Sequence, residues 1–521
     1  MSYSGHVELK SSKITDAGNG VFASKDFAPG DIIISLPRPL VAELENQHLA
    51  SSCSWCFSHK VAGPTDLPTD SLDIKACTGC RKIKYCSRQC QTKHWKLDHK
   101  YDCKVLSDPQ RPPLPYGVRA TIKLLKRLQL GDAEVRKVLD FQPKIEHLRK
   151  YEPSILEDSA LMAMGAWKFA GEPRGTNVDL AQTLFLNVMC NTLDLSNALS
   201  NMTLGAGFDP ILCSINHSCQ PNTMLIFNNP HTMVRAIRPI SRGEEIFIQY
   251  RDPSNPFTVR QAELEEKYFF KCNCSKCEKG STLQEDTFKK PSENLSSEWC
   301  RCADELIARH ASTGVDVSRY QIGSSLADRR VSALQAEAFR LSGTHGSGIM
   351  ESEKALRICL ESDMWTLTRQ PVPYLLGSFF DNHIGQGPDG LEKALHVGLV
   401  KYFILNPALA PQPFDNSRII DTITLAKVAI SWSRSASESS IVQLRQKGCD
   451  VGIFIYGLLN EAWAAVPLSF GRNSQFGQAV EMIWKQINED GQLHDVKMEM
   501  VKRTWPVIKA YAETINVLDC L

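Results

Sequence analysis

The sequence lacks an excess of charge of either sign. It carries 59 Lys and Arg against 58 Asp and Glu in 521 residues, which gives a formal net charge of +1. A nearly neutral chain has no overall field that would draw it to nucleic acid or to an anionic membrane. The total charge therefore gives no reason to expect either partner.

Long apolar runs are also missing from the sequence. The first 18 residues, MSYSGHVELKSSKITDAG, contain none, so we expect no signal peptide. We find no stretch approaching the roughly 18 apolar residues that a membrane helix needs, and we expect no membrane partner. The predicted location is the cytoplasm or the nucleus. The length predicts two to four domains of ordinary composition.

The 18 cysteines are unevenly placed. Seven lie between Cys53 and Cys103. Four more are Cys219, Cys272, Cys274 and Cys277. In a reducing compartment a disulfide framework is not expected, so the clustering favours metal binding. Cys300 and Cys302 have no partner pair nearby, and we expect them to be free thiols.

The first cluster contains four spaced pairs. They are Cys53-x2-Cys56, Cys77-x2-Cys80, Cys86-x3-Cys90 and His99-x3-Cys103. A CxxC turn presents both thiolates to one ion, and one helical turn does the same for the x3 spacing. Eight nitrogen and sulfur ligands fill two closed tetrahedral sites and leave no open position for catalysis. The pattern predicts two structural zinc ions; free buried cysteines are the alternative.

The segment Cys77–Cys103, CTGCRKIKYCSRQCQTKHWKLDHKYDC, resembles a MYND zinc finger, including Tyr85-Cys86-Ser87 and Trp95. In that family the ligand pairs interleave. The resemblance implies one zinc ion on Cys53, Cys56, Cys86 and Cys90, and a second on Cys77, Cys80, His99 and Cys103. The spacing before His99 is one residue longer than expected, so His94 is an alternative ligand. A finger of about 50 residues needs its metal to fold.

The same finger carries a local charge excess. From Cys77 to Lys104 there are eight Lys and Arg against two Asp. This is either a solvated face or a surface for acidic partners or nucleic acid. MYND fingers of this type bind peptides, so the resemblance implies peptide partners as well.

Short strands and turns surround the motif NHSC at residues 216–219. A glycine-rich turn at residues 16–20 and the strand Ile32–Ile34 precede it. The segments TMLIF, TMVRAI and SRGEEIFIQY follow it, a pattern typical of antiparallel β structure. Beyond them, Cys272-x-Cys274-x2-Cys277 is one ligand short of a tetrahedral zinc site. Cys219 completes that site if the fold brings the two segments together.

The glycine turn, NHSC, GEE with its following Tyr250, and CxCx2C occur in this order with the finger inserted. Over residues 5–280 the chain thereby resembles the SET and MYND domain (SMYD) protein-lysine methyltransferases. The resemblance implies S-adenosylmethionine as cofactor and a protein with an exposed lysine, histone or not, as substrate. It implies a catalytic role for Tyr250, and it places Tyr268 in the wall of the lysine channel. The implied cofactor-binding residues are Ala17, Gly18, Asn19, Asn191, Asn216, His217, Tyr250 and Phe270.

The resemblance also predicts how the residues of the NHSC motif are divided between two sites. Asn216 and His217 face the cofactor, while Cys219 points the other way to its zinc ion. A nucleophile–base pair of Cys219 and His217 is the alternative, which zinc ligation of the thiolate excludes. Leu193 stands where the family often has an aromatic residue, which leaves the degree of methylation open.

The implied methyl transfer requires little chemical participation from catalytic side chains. Methyl transfer to a lysine amine is an in-line displacement at carbon, and the sulfonium is already a strong electrophile, so positioning dominates. The amine must lose a proton although a free lysine has a pKa near 10.4. An apolar channel and the sulfonium charge favour that loss. No Ser/His/Asp set is required, and none stands out.

The predicted fold is a multidomain α+β chain with a β-rich SET fold. A MYND finger and a helical segment are inserted in it, a cysteine-rich post-SET zinc site follows, and an α-helical, TPR-like domain ends the chain. The predicted boundaries are 1–50 and 201–255 for the SET parts, 51–105 for the finger, 106–200 for the helical insertion, 256–280 for the post-SET segment, 281–296 for a linker and 297–521 for the helical domain. The helical spacing of apolar residues supports the domain at 297–521, whereas its description as TPR-like rests on resemblance.

Two other functions compete with the methyltransferase. One is an adaptor that binds partners through its finger and helical domain and has an inert SET fold. A complete set of cofactor residues argues against it. The other is a DNA- or RNA-binding zinc protein, which the neutral charge and the lack of a reading helix disfavour.

Overall fold

The computed structural model describes residues 4–14, 18–59, 73–110, 112–141, 145–196, 203–228, 230–281, 284–314, 316–343, 348–489 and 498–521. The strands are β1 (Ser4–Gly5), β2 (Val7–Ser11), β3 (Asn19–Ala23), β4 (Ile32–Leu36), β5 (Val41–Leu44), β6 (Lys75–Ala76), β7 (Lys84–Tyr85), β8 (Leu193–Ser196), β9 (Thr203–Phe208), β10 (Asn216–His217), β11 (Thr223–Asn228), β12 (His231–Ala236) and β13 (Phe247–Ile248).

The α-helices are α1 (Arg88–His94), α2 (Lys100–Leu106), α3 (Tyr116–Gln129), α4 (Ala133–Arg136), α5 (Ile145–Tyr151), α6 (Pro153–Phe169), α7 (Val178–Cys190), α8 (Pro210–Cys213), α9 (Phe257–Tyr268), α10 (Ser297–Thr313), α11 (Leu326–Gly343), α12 (Ile349–Glu361), α13 (Val372–Gly385), α14 (Leu391–Val400), α15 (Asn406–Leu409), α16 (Asn416–Ser435), α17 (Glu438–Gln446), α18 (Val451–Ala465), α19 (Gln475–Glu489) and α20 (Met498–Thr514). A π-helical segment, Trp95–His99, joins α1 to α2.

A four-stranded sheet joins strands that are far apart in the sequence. Its order is β1-β4-β12-β11, and each pair is antiparallel. Ile34 lies opposite Val234, and both are fully buried in the core of this sheet. The antiparallel structure predicted around residues 216–219 is thereby confirmed. One short pair differs, because β10 and β13 run parallel and place His217 opposite Ile248.

A second sheet, β5-β9-β8, carries the insertions. Gly205 of β9 lies against the backbone of Glu43 in β5, where a Cβ atom would collide with the Glu43 carbonyl oxygen. The finger lies between β5 and α3, and the helices α3, α6 and α7 pack together between β5 and β8. Their shared core includes Ile122, Ala163 and Leu184, all fully buried. The predicted helical insertion is confirmed.

The C-terminal region is helical, as expected. From α10 to α14 each helix packs against the next, and α16 packs against α14 and α18. Ile419, Ile423 and Ala426 of α16 are buried together at helical spacing. The α+β class is therefore correct, while the TPR assignment and the domain boundaries stay predictions.

The expectation that no segment is long and apolar enough for a membrane helix was wrong. Val451–Leu468 is 18 residues long with a mean hydropathy of 1.4, so by length and composition alone it could cross a membrane. Half of this segment is buried inside the protein, where Phe454 and Leu458 are fully enclosed among neighbouring helices. A helix with helical neighbours on several sides becomes apolar around most of its circumference, as a core helix does.

Candidate active site and metal centres

The finger brings its eight predicted ligands together in two groups. One consists of Cys53, Cys56, Cys86 and Cys90, and the other of Cys77, Cys80, His99 and Cys103. Within each group the ligand atoms all lie within 4.8 Å of one another. The sulfur of Cys86 is 3.5 Å from that of Cys56 and 3.6 Å from that of Cys90. Four thiolates at about 2.3 Å from a tetrahedral zinc ion would be separated by about 3.8 Å, so the residues fit the metal.

The choice between the two histidines of the finger follows from their partners. The Nε2 atom of His99 lies 3.4 Å from the sulfur of Cys77 and 3.7 Å from that of Cys80. His94 lies outside the group: its Nδ1 atom is 3.0 Å from the hydroxyl oxygen of Tyr85, and its Nε2 atom is 3.2 Å from Asp98. His99 is therefore placed as a ligand and His94 is a buried structural residue.

A third group joins the NHSC motif to the post-SET segment. It consists of Cys219, Cys272, Cys274 and Cys277, again with all sulfur atoms within 4.8 Å. The Gln261 side chain of α9 holds this segment by accepting from the backbone N–H of Cys272 and donating to its carbonyl, at 2.9 and 2.8 Å. The fold thus supplies the fourth ligand that the CxCx2C motif lacks.

A buried network of charges joins the finger to the helical insertion. His99 contacts Asp102 at 2.7 Å through its Nδ1 atom, which orients the ring toward the cysteines. The ammonium of Lys123, on α3, lies 3.3 Å from Asp102 and also pairs with Glu43 of β5. Burial opposes a charge on Lys123, but these carboxylates raise its pKa above the usual range. No spacing pattern in the sequence predicts this network.

Metal analysis tests the three groups. We expect about three zinc ions per chain, one for each four-ligand group. The Cys219→Ser variant should retain about two, because a site with three thiolates binds more weakly. Cys359→Ser is the matched control, since Cys359 is buried in α12 and belongs to none of the groups. A wild-type value near two would mean that the Cys219 group holds no metal.

A cavity of about 1220 Å³ lies between the NHSC motif at residues 216–219, α9 and the helical insertion. It is lined by the predicted cofactor residues Gly18, Asn19, Asn191, Asn216, His217, Tyr250 and Phe270. The cavity therefore collects from five separate segments the residues that the sequence grouped by resemblance. Ala17, the remaining predicted contact, lies outside the described residues.

The Asn216 side chain holds the glycine turn in place. Its amide N–H donates to the carbonyl of Asn19 at 3.2 Å and to the Glu245 carboxylate at 2.8 Å. Glu245 also accepts from the hydroxyl of Ser12 at 2.8 Å. A Cβ at Gly20 would collide with the Glu245 carboxylate in this position, so a larger residue would displace that side chain. Glu245, the second Glu of the GEE motif, is a positioning residue that the sequence did not single out.

His217 lines the cavity and also contacts the Cys219 side of the motif. Its Nδ1 atom accepts from the backbone N–H of Tyr250 at 2.9 Å, so its Nε2 atom carries the proton. That Nε2 atom lies 3.3 Å from the sulfur of Cys219. Burial lowers the pKa of His217 to about 4, which keeps the ring neutral. The His217 and Cys219 side chains thus meet, and both nitrogens of the ring are engaged by the protein.

Tyr250 and Tyr268 stand between two cavities. Their ring centroids are 4.8 Å apart, and both residues line the large cavity and a smaller one of about 290 Å³. The Tyr250 hydroxyl donates to the carbonyl of Ile215 at 2.7 Å, and burial raises its pKa above the usual range, so it stays neutral. Asp415, at the N-terminus of α16, adds a wall from the C-terminal region to the smaller cavity.

Some lining residues had no signal in the sequence. Cys190 and Cys213 line both cavities, and the Cys213 thiol donates to the carbonyl of Asn191 at 2.9 Å. Asp209 lines the larger one, and burial raises its pKa to about 6. Isolated residues without a spacing pattern can be placed only by the fold.

Comparison with known proteins shows what the chain is similar to. Residues 18–251 match the family model described as the SET domain. The chain is 31% identical over 275 residues to the SET domain and MYND-type zinc finger protein 6 of Schizosaccharomyces pombe, covering 52% of each chain. It is 30% identical over 306 residues to the histone-lysine N-methyltransferase ASHR1 of Arabidopsis thaliana, covering 56% of this chain and 59% of that one. With the human histone-lysine N-methyltransferase SMYD3 it is 30% identical over 278 residues, covering 52% and 62%.

Residues 18–251 are thus similar to the SET domain. The predicted resemblance to the SET and MYND domain proteins is confirmed by these relatives. The chain spans between half and two thirds of the length of the curated relatives that it matches.

Proposed function

We propose that the protein is an S-adenosylmethionine-dependent protein-lysine N-methyltransferase of the SET type, working in the cytoplasm or the nucleus and held together by three zinc ions. The observation that carries this proposal is the pair of cavities that meet at Tyr250 and Tyr268. Two reactants can enter from different sides and meet at one point, as an in-line transfer requires. The names of two of the relatives, both histone-lysine N-methyltransferases, support lysine as the acceptor.

The larger cavity is the proposed cofactor site. When bound, S-adenosylmethionine supplies an electrophilic methyl group. Gly18 adopts a φ of +70°, which lets the turn before β3 present its backbone to the cavity. Phe270 offers an aromatic face for an adenine ring, and its own ring lies 6.0 Å from that of His217. Asn191, at the end of α7, lines the cavity from the opposite segment.

The smaller cavity is the proposed entry for the substrate lysine. Tyr250 and Tyr268 would enclose the lysine stem and exclude water, and aromatic faces tolerate a methylated ammonium. Because the Tyr250 hydroxyl donates to Ile215, its oxygen lone pairs are free to accept from the incoming amine or from the methyl C–H groups. Tyr250 would thus orient both groups without acting as a base.

Calorimetry with S-adenosylmethionine tests the proposal directly. We expect zinc-loaded protein to bind about one equivalent, and Phe270→Ala to weaken binding by roughly tenfold through the loss of stacking. Tyr374→Ala, which removes an exposed aromatic ring from α13, is the matched control and should bind like wild type. If zinc-loaded wild-type protein does not bind the cofactor, the enzyme proposal fails and the adaptor function takes its place.

A further inference from the structure

Two positive side chains flank the proposed lysine entry. Arg251 follows Tyr250 in the chain, Lys267 precedes Tyr268, and both line the smaller cavity. The Cζ atom of Arg251 lies 5.7 Å from the centroid of the Tyr268 ring, and the Nζ atom of Lys267 lies 5.5 Å from it. Both cations thus contact the same ring. Their mutual repulsion is a local cost that a bound anion would remove.

Neither cation pairs with an anion among the residues that the structure describes. Across the part of the chain that the structure describes, Arg251 and Lys267 form no ion pair and donate no side-chain hydrogen bond to another residue. The Nε atom of Arg251 is in addition buried without an acceptor. A buried N–H left without a partner is destabilising, so this group is poised to donate to a ligand.

The neighbouring carboxylates lie outside ion-pair distance of these cations. Asp415 accepts backbone N–H groups of its own helix, at 2.9 and 3.4 Å. Glu263 accepts from the Asn255 side chain, and burial raises its pKa. Asp194 is exposed at the rim of the cavity. Partial burial and the charge of Arg251 lower the pKa of Lys267 in spite of Asp194, as expected where positive charge is in excess.

We propose that Arg251 and Lys267 form a subsite for the carboxylate of an Asp or Glu that lies next to the target lysine in the substrate protein. The inference rests on the proposed function, because it uses the same lysine entry. A guanidinium donates to a carboxylate through two parallel N–H groups, which fixes its position as well as its charge. An extended peptide advances about 3.3 Å per residue, so a residue one or two positions from the lysine is within reach of the cavity. The substrates are therefore lysines in acidic surroundings.

A peptide library tests the subsite. The probe is a set of synthetic peptides with one central lysine and randomised flanks, methylated by the zinc-loaded full chain with labelled S-adenosylmethionine. We expect roughly tenfold enrichment of Asp and Glu over Lys and Arg at one flanking position, the size of effect that one charged hydrogen bond gives. Arg251→Glu should reverse that preference, and Lys267→Gln should reduce it. Lys354→Glu, an exposed cation of α12, is the control and should leave it unchanged.

The outcomes separate this inference from the proposed function. Methylation with no charge preference, or with a basic preference in the wild type, overturns the subsite and leaves the methyltransferase standing. Cofactor binding without methylation of any library peptide also overturns it, because the subsite should select short acidic peptides. Failure to bind S-adenosylmethionine overturns both. A preference that survives in Arg251→Glu assigns the selection to another residue and contradicts the proposal.

Discussion

Replacing Tyr250 with Phe should lower the turnover number by about a hundredfold or more, while the Kd for S-adenosylmethionine changes little. The variant loses only the hydroxyl, whose oxygen lies 2.7 Å from the carbonyl of Ile215 at the junction of the two cavities. Loss of one positioned polar group at a reacting centre costs about 100- to 1000-fold in turnover. The ring still packs against His217 and Tyr268, with centroids 5.3 and 4.8 Å away, so the pocket should keep its shape.

Two measurements make this result specific. Single-turnover methyl transfer reports the chemical step, and calorimetry reports cofactor affinity on the same preparation. Tyr456→Phe, which removes a hydroxyl from a half-buried tyrosine of α18, controls for a general effect of hydroxyl loss. A Tyr250→Phe enzyme with wild-type turnover would remove Tyr250 from the mechanism.

The second large effect concerns the finger. We expect Lys123→Met to lower the free energy of unfolding of the unit formed by the finger and helical insertion by roughly 3–5 kcal/mol, because it leaves buried carboxylates unpaired. Asp102 is fully buried, and among the described residues Glu43 would keep Arg119 as its ion-pair partner. Since Asp102 also orients His99, the variant should release zinc faster as well.

The matched control lies on the same helix. Lys126 of α3 forms no ion pair among the described residues, so Lys126→Met should change the stability by no more than about 0.5 kcal/mol. Chemical unfolding followed by far-ultraviolet circular dichroism, with a chromophoric chelator to time zinc release, compares the two variants. Equal midpoints and equal release rates for both would show that the buried network contributes nothing.

Local spacing made the metal groups predictable. The pairs from Cys53 to Cys103 and the CxCx2C motif are patterns that chain geometry forces toward one ion, and even Cys219 could be named as the missing ligand. The residues around the cavity could be named only through resemblance, and the structure brings all the described ones together. The strand and helix regions followed from turns and apolar periodicity.

Contacts between distant single residues could not be predicted. In the sequence, Lys123 is one of several lysines on an amphipathic helix. Only the fold brings Glu43 of β5 beside it. The tautomer of His217 depends on the backbone of Tyr250, 33 residues away. The apolar character of the Val451–Leu468 helix was not predicted, because its apolar residues are interrupted by polar ones that tolerate partial burial. In each case the deciding partner is set by the tertiary fold.

The four-stranded sheet β1-β4-β12-β11 also determines the order in which the protein folds during synthesis. Strand β4 pairs with β12, and Ile34 meets Val234 only after 200 further residues have been made. The ligands of the finger, by contrast, all lie within roughly 50 residues, so the finger can close on its metal as soon as residue 103 has left the ribosome. Until β12 appears, β4 presents unpaired backbone groups and apolar side chains, which other chains can pair with. The nascent chain is therefore most prone to aggregation in the interval between the finger and residue 236.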